Sequence, residues 1–539
     1  MSARLAWLAL LGDWRGFLSG MKSLAFRRRV RGMHQLHLAA SRHPDYYRVW
    51  IAEGEPRAIS AWCAARAEHG SQTGIGCYIV GGDRNQRART EASVMQALGA
   101  DARVYAPGQS LADALRAAIA EGRTGFLILS AGDALSPALG PVLARMPGPS
   151  RELPILYWDH DAIEGGARTL PLIKPDWDPY LASSVDLLTR ASLIWPAAML
   201  DAIEEGAGPQ PDPSDLAVPT AALLRVAQAA LPVHIPLILS HRQVDSSCAG
   251  LLTPPRAAPA PPEAAAGAVT IIIPTRDQAE LLAVCIERLS ILQYAGSVDI
   301  LVLDNDSVEP ETHALFDRLA SDRTQILPYP GRFNYAAMIN FAAQAAKGDF
   351  LCLLNNDVEA LDGVWLSELV RYAAEPGVGA VGARLLYPDG AIQHVGVAAG
   401  IGGAAGHVQK GAMPGDIEFS SWHRYTRRVS AVTGACMVID RSKFFSVGGM
   451  DPANFAVDFN DVDLCLRLEA SGLVNLIVPD ATLIHHESKS RGAVRTGENL
   501  EQFKLELAAL KARWDTDAYR DPWHSPLFRR ESERCLLSF

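Results

Sequence analysis

The second half of this 539-residue chain ends several apolar runs on short polar clusters: PTRD at 274–277, LDNDS at 303–307, LLNND at 353–357 and, further on, FNDVDLCLRL and LIHHES. Carboxylates, amides and imidazoles of this kind can accept a proton or hydrogen-bond a polar ligand if the fold brings them together. Within FNDVDLCLRL, Asp461 and Asp463 are two residues apart and so face different ways on a helix. Asp463 also precedes Arg467 by four, the spacing of a helical ion pair. His485 and His486 are adjacent, so on an extended segment only one of them faces a given site.

The elements that must position these residues read as alternating strands and helices. VTIIIP (269–274) is a β-branched run stopped by proline, and AELLAVCIERLSIL (279–292) has helical apolar spacing. VDILVLDND (298–306) is a second strand, INFAAQAAKGD (339–349) a helix closed by Gly348, and FLCLL a third strand. Such alternation predicts an α/β sheet, mostly parallel and Rossmann-like, with its ligand at the strands' carboxyl ends.

The first half repeats this order: YRVWIAEGEP as a strand, RAISAWCAARAEHG as a helix, then IGCYIVGGD and FLILSAGD as strands. Ile51 and Ile273 are 222 residues apart, as are Cys63 and Cys285; Ile75 and Val298 are 223 apart, and Phe126 and Phe350 are 224 apart. The steady offset implies an internal duplication. TPPRAAPAPPEAAAGA (253–268) favours extended polyproline-like conformations and separates the copies. The expected organisation is a helical, partly basic segment over 1–45, an α/β domain over 46–250, a linker over 251–267, a second α/β domain over 268–515 and a tail over 516–539.

Hydrophobic content of 49% with 20% charged residues is that of a globular protein, and the length implies more than one core. A formal net charge of −10 gives no general electrostatic reason to bind nucleic acid. Eight cysteines without a CxxC pair, several inside apolar runs, read as buried thiols of a reducing compartment. No stretch approaches the roughly 18–20 apolar residues of a membrane span, and LAWLALLGDW lacks a small-residue cleavage site. The N-terminal stretch with Trp7, Trp14, Phe17 and then Arg27, Arg28, Arg29 and Arg31 fits either peripheral contact with an anionic membrane surface or an ordinary helix packed on the first domain.

Taken in order over residues 268–492, VTIIIPTRD, VLDNDS, FNYAAMINFAAQAAKGDFLCLLNND, VTGACMVIDR, VGGMD, FNDVDLCLRL and LIHHESKSRG resemble the motif series of glycosyltransferase family 2. The resemblance is to the subgroup that includes rhamnosyltransferase-like enzymes of bacterial polysaccharide and O-antigen synthesis. It implies two GT-A-like domains in tandem, the second catalytic, and a cytoplasmic enzyme that transfers sugar with inversion; the alternative is a non-catalytic GT-A scaffold or glycan-binding subunit of a polysaccharide assembly complex. The implied partners are a UDP-, dTDP- or GDP-linked sugar donor, a glycan or lipid-linked glycan acceptor, and Mg²⁺ or Mn²⁺.

Carried over residue by residue, the resemblance implies that Asp357 and His485, with His486 as the alternative, hold the metal. Thr275, Asp277, Asp304, Asn305, Asn334 and Asn356, with Arg332, line the donor pocket; Lys489 and Arg491 are placed either to meet the diphosphate or simply to be solvated. Asp461 takes the acceptor's proton, while Gly434 and Gly449 shape the acceptor side. Two amides stand where the family has acids, Asn356 and Asn460. For Thr275, Asp277, Asp304 and Asn305, helix caps and turns are rival roles.

In the first half PTRD becomes AEGE, LDND becomes VGGD and LLNND becomes LSAGD, so Asp304 corresponds to Gly81, and Asn355 and Asn356 to Ala131 and Gly132. Asp133 alone keeps its place. PDPSDLAVPT offers Asp215 but breaks the helix with proline, HIPLILSHR (234–242) only loosely echoes VPDATLIHH, and LPLIKPDWDPYL resembles an acceptor-side segment. The first domain is therefore expected to be a degenerate copy serving structure, partner docking or acceptor binding.

Overall fold

The computed structural model describes residues 2–70, 74–106, 108–206, 217–244, 267–415, 422–486 and 497–539. Residues 253–266 of the Pro/Ala tract, Asp215, Lys489 and Arg491 lie outside the described residues. The chain divides into two compact units: Met1–Pro259 with Ser525–Arg529 and Leu536–Phe539, and Ala260–His524 with Arg530–Cys535.

The described strands of the first unit are β1 (Ile75–Val80), β2 (Arg103–Val104), β3 (Gly125–Ser130), β4 (Ala134–Leu135), β5 (Ile155–Glu164), β6 (Ala167–Leu172), β7 (Ser192–Ile194) and β8 (Val233–Gln243). Those of the second are β9 (Val269–Thr275), β10 (Val298–Asp304), β11 (Thr324–Pro328), β12 (Phe350–Leu354), β13 (Val358–Ala360), β14 (Val378–Leu386), β15 (Ile392–His394), β16 (Val397–Ala399), β17 (Ala405–His407), β18 (Arg427–Val429), β19 (Cys436–Asp440) and β20 (Val474–His485). The main sheets run β2-β1-β3-β7-β5-β8-β4 and β11-β10-β9-β12-β19-β14-β20-β13. Both are mixed. The β2-β1-β3 and β11-β10-β9-β12 portions are parallel, and one antiparallel strand, β7 or β19, joins each to the rest.

Sheet order confirms the duplication and corrects its alignment. β3 and β12 hold the same place, 224 residues apart, as do the short strands β4 and β13 and their partners β8 and β20. β1, however, lies directly beside β3, the place that β9 takes beside β12. IGCYIVGGD is therefore the counterpart of VTIIIPTRD and not of VDILVLDND. The register sets Gly76 opposite Phe126 and Val269 opposite Phe350, so Gly82, rather than Glu53 or Gly81, stands for a polar strand end, that of Thr275. The expected strand YRVWIAEGEP is helical instead, as Tyr46–Glu53 followed by Glu55–Ala64. Tyr46, Tyr47 and Trp50 fall on one helical face and are buried, with Tyr46 Oη and Trp50 Nε1 donating to the carbonyls of Leu537 and Ser538. Aromatic residues with strand propensity were recruited to a helix by the tail they pack against.

In the first unit, Asp133 follows β3 as Asp357 follows β12, and it is 1% exposed. Arg190 occupies it: the guanidinium grips both carboxylate oxygens, Nε donating to Oδ2 at 2.8 Å, and Gln243 N–H adds a bond of 3.0 Å to Oδ1. Arg190 has φ of +66°, a left-handed conformation that a non-glycine residue adopts at a cost. His241, which pairs with Ala134 as His485 pairs with Val358, turns its Nδ1 to Asp161 at 2.6 Å. Lys174, in the segment resembling an acceptor side, is buried. Its Nζ donates to the carbonyls of Trp158 and Leu187, and burial pulls its ammonium down to about 7.

The second unit carries a buried acid, Asp521, and a half-buried one, Glu469. Asp521 accepts N–H bonds from Ala399 and Trp523 and the Ser430 hydroxyl. Burial raises its carboxyl to about 6, and burial together with the Asp521 charge raises Glu469 to about 7.

Two stability experiments follow. Arg190→Ala leaves the buried Asp133 charge unpaired and is expected to cost about 3 kcal/mol in denaturant unfolding of the first unit. Because Glu469 and Asp521 hold protons more tightly folded than unfolded, the folded state gains below the ordinary carboxylate range and loses that gain as pH rises through 6–7. The second unit's melting temperature should fall by several degrees between pH 5 and pH 8, and less so in Glu469→Gln.

Candidate functional site

The site lies at the carboxyl ends of β9, β10 and β12, where backbone pairing stops and side chains take over. β9 and β12 are buried along their whole length, so the chain is apolar up to Thr275 and Leu354 and polar immediately after. Beyond β12, Asn355 N–H bonds to the Ala435 carbonyl before β19, which ties the NND turn to the strand beside it. Asn356 Nδ2 donates to Thr275 Oγ1 at 2.9 Å, bridging the ends of two neighbouring strands.

Asp357 is 6% exposed, and its Oδ1 lies 3.2 Å from His485 Nε2, at the end of β20. His485 Nδ1 is buried without a hydrogen-bond partner. His486 points the other way, its Nε2 3.3 Å from Glu359, which also accepts from Arg288 at 2.8 Å. The strand alternation thus separates the two histidines, and His485 is the one beside Asp357.

Asp461 opens the helix Asn460–Ala470, just after Phe459 in a left-handed conformation with φ of +60°. Its Oδ2 accepts the Gly434 N–H at 3.0 Å and its Oδ1 the Val462 N–H at 2.8 Å. Burial pushes its carboxyl above the ordinary aspartate value, against the downward pull of those bonds and of the Thr433 hydroxyl. Gly434 is needed here: a Cβ would stand 2.9 Å from Tyr335 Oη, which donates to the Gly434 carbonyl. The loop Thr433–Ala435 therefore touches Asp461 on one side and the NND turn on the other. Asp463 is fully buried among Arg467, Arg513 and the Trp514 indole, at 2.8, 2.8 and 3.0 Å. Asn460 bonds back to the Val457 carbonyl.

The remaining sequence candidates hold the rim together. Asp277 accepts the Val308 and Glu309 N–H groups, and Asp304 that of Ser307. Asn305 is fully buried, donating to the carbonyls of Tyr329 and Gly331, while its Oδ1 has no partner. Asn334 caps the helix Tyr335–Ala345 through Ala337 N–H and reaches the Pro452 carbonyl. Arg332 is exposed. Asp277, Asp304, Asn305 and Asn334 thus act as caps and turn braces.

Two residues went unread in the sequence. His394 is buried and kept neutral by burial and by His407; its Nε2 accepts from Thr433 N–H at 3.3 Å and its Nδ1 lies 2.9 Å from His407 Nδ1. It braces the same loop that holds Asp461. Nothing in AIQHVG marked it beyond a lone histidine in an apolar run. The other is Arg190, too far in sequence from Asp133 to be paired with it.

Asp357 and His485 offer one carboxylate and one imidazole, a donor pair suited to Mn²⁺ and, through the carboxylate, to Mg²⁺. Among the described residues no cluster of three His, Cys, Asp or Glu side chains could hold a metal by itself. A cation here would complete its shell with diphosphate oxygens and water, as hard cations at such sites do.

Residues 270–445 match the family described as Glycosyl transferase family 2. The chain is 41% identical over 273 residues to the uncharacterized protein y4gI of Sinorhizobium fredii, covering 50% of this chain and 30% of that protein. It is 36% identical over 450 residues to the O-antigen biosynthesis protein RfbC of Myxococcus xanthus, covering 76% of this chain and 34% of that one. It is 27% identical over 213 residues to the N-acetylglucosaminyl-diphospho-decaprenol L-rhamnosyltransferase of Mycobacterium tuberculosis, covering 36% of this chain and 68% of that protein. The chain thus spans about a third of the length of the first two relatives. The motif series, the α/β sheet and the acids at its strand ends lie within or beside residues 270–445, the part of the second unit that resembles glycosyl transferase family 2.

Proposed function

We propose that the second unit is a metal-dependent, inverting glycosyltransferase of the cytoplasm. It moves a sugar from a UDP-, dTDP- or GDP-linked donor to a glycan or lipid-linked glycan acceptor in cell-surface polysaccharide synthesis. The observation that carries this is the placement of Asp461: a half-buried carboxylate held by the N–H groups of Val462 and Gly434, the latter on the loop that also ties down the turn bearing Asp357. Similarity to RfbC and to the mycobacterial rhamnosyltransferase supports a surface-polysaccharide setting and a rhamnosyl-type donor.

Asp357 and His485 would hold a divalent cation, which would supply positive charge against a departing nucleoside diphosphate. Thr275 and Asn356, locked to each other, set the wall against which the donor lies. The acceptor hydroxyl attacks the anomeric carbon opposite the diphosphate. As the new C–O bond forms and the bond to phosphate breaks, the hydroxyl proton passes to Asp461. Burial makes this carboxylate a stronger base than an exposed one. The first unit, with Gly82 and Gly132 in place of Thr275 and Asn356 and Arg190 on Asp133, serves a non-catalytic role.

Asp461→Asn should lower kcat by about a thousandfold while the nucleotide still raises the melting temperature in Mn²⁺. Asp357→Ala should abolish that metal-dependent stabilisation. Asp463→Asn should instead lose stability through its broken buried ion pairs, by about 3 kcal/mol. If Asp461→Asn turns over at the wild-type rate on a donor the wild type uses, the assignment of the base is wrong. The acidic limb of the kcat–pH profile should lie above the ordinary aspartate range, with activity lost as pH falls through it.

A further inference from the structure

The second helix of the chain is packed inside out. Ala3–Gly12 and Trp14–Ala25 lie against Arg29–Ser41, but the second helix presents its small residues to its neighbour. A Cβ on Gly20 would stand 2.7 Å from Leu36 Cγ, and one on Gly16 3.2 Å from the Ala39 Cβ. The large residues face away: Trp7 is 60% exposed, Trp14 57%, Leu18 54% and Phe26 67%, with Leu11 and Met21 also exposed. Trp7 and Leu11 recur at helical spacing on the first helix, and Trp14, Leu18 and Met21 do so on the second, beyond the extended Asp13, so each helix carries an apolar stripe rather than scattered surface residues. Water-soluble packing normally places such a stripe inward.

Charge indicates what covers it. Residues 1–44 contain eight Lys or Arg and a single acid, Asp13, within a chain whose formal net charge is −10. That one acid is already paired with Arg42. Arg15, Lys22, Arg27, Arg28 and Arg29 are exposed on or just beyond the helix that carries Trp14, Leu18 and Met21. An apolar stripe with tryptophans, flanked by cations, fits the boundary between acyl chains and anionic headgroups, where indoles and guanidiniums are each favoured. Among the described residues no helix is long and apolar enough to cross a membrane, so the contact is with one leaflet. We infer that the helix pair Ala3–Ala25 is a docking surface for an anionic lipid bilayer, independent of the chemistry assigned to the second unit.

The test is flotation of the full chain with vesicles of phosphatidylcholine alone or mixed with phosphatidylglycerol, alongside light scattering in solution. The expected result is binding to the anionic vesicles at least about tenfold stronger than to neutral ones, weakening about tenfold as salt rises from 0.05 to 0.5 M. Trp14→Ser/Leu18→Ser/Met21→Ser and Arg27→Gln/Arg28→Gln/Arg29→Gln should each lose it. All six positions are exposed, so the variants should keep the wild-type circular dichroism and melting temperature. The inference is overturned if the wild type does not float with anionic vesicles at low salt, or if the apolar variant floats as well as wild type. It is equally overturned if wild type is a dimer that the apolar variant converts to monomer, which would give the stripe to a second copy of the chain.

Discussion

The site depends on one strand being hydrogen-bonded along both edges. Phe350–Leu354 runs parallel to Val269–Thr275 on one side and antiparallel to Cys436–Asp440 on the other, and none of its five residues is exposed. A strand so held has no freedom to slide, since a one-residue shift would turn Leu351 and Leu353 to the opposite face. The turn that follows is therefore fixed in space, and with it Asn356 against Thr275 and Asp357 against His485. Because the antiparallel neighbour begins where this strand ends, the preceding loop Thr433–Ala435 is brought to the same edge, and Asp461 is hung from it.

The first unit keeps this constraint and discards what it positions. Gly125–Ser130 sits between a parallel and an antiparallel partner in the same way, and Asp133 emerges where Asp357 does. Yet the position of Thr275 is Gly82, and the carboxylate is closed by an internal guanidinium. A buried carboxylate must have a cation or several donors near it, and an arginine supplied by the chain satisfies that need permanently. The strained backbone at Arg190 is consistent with its side chain being held in place by the pairing rather than by local preference.

The same contrast between what packs and what is presented appears at the N-terminus. Gly16 and Gly20 bring the second helix close to the third, and that closeness leaves no room for bulky residues on the inner side. Their exposure follows from the packing, and the concentration of arginines around them decides which environment suits them.

The sequence alone fixed the apolar strands of the second half, their alternation with helices, and the polar clusters at their ends, since period and punctuation are local properties. It also separated Asp463 from Asp461, because a spacing of four to Arg467 is itself a contact on a helix. It misjudged Tyr46–Glu53 because an apolar, aromatic run of that length satisfies a strand and a helical face equally, and the tail residues Leu537 and Ser538 that decide between them lie about 490 positions away. It misplaced IGCYIVGGD by one strand because offset in sequence does not encode neighbourhood in a sheet. Which histidine faces Asp357, which acid Arg190 closes, and how His394 supports the Asp461 loop were settled only by tertiary structure. Each is a meeting of residues from distant elements, and their geometry exists only once the strands between them are paired.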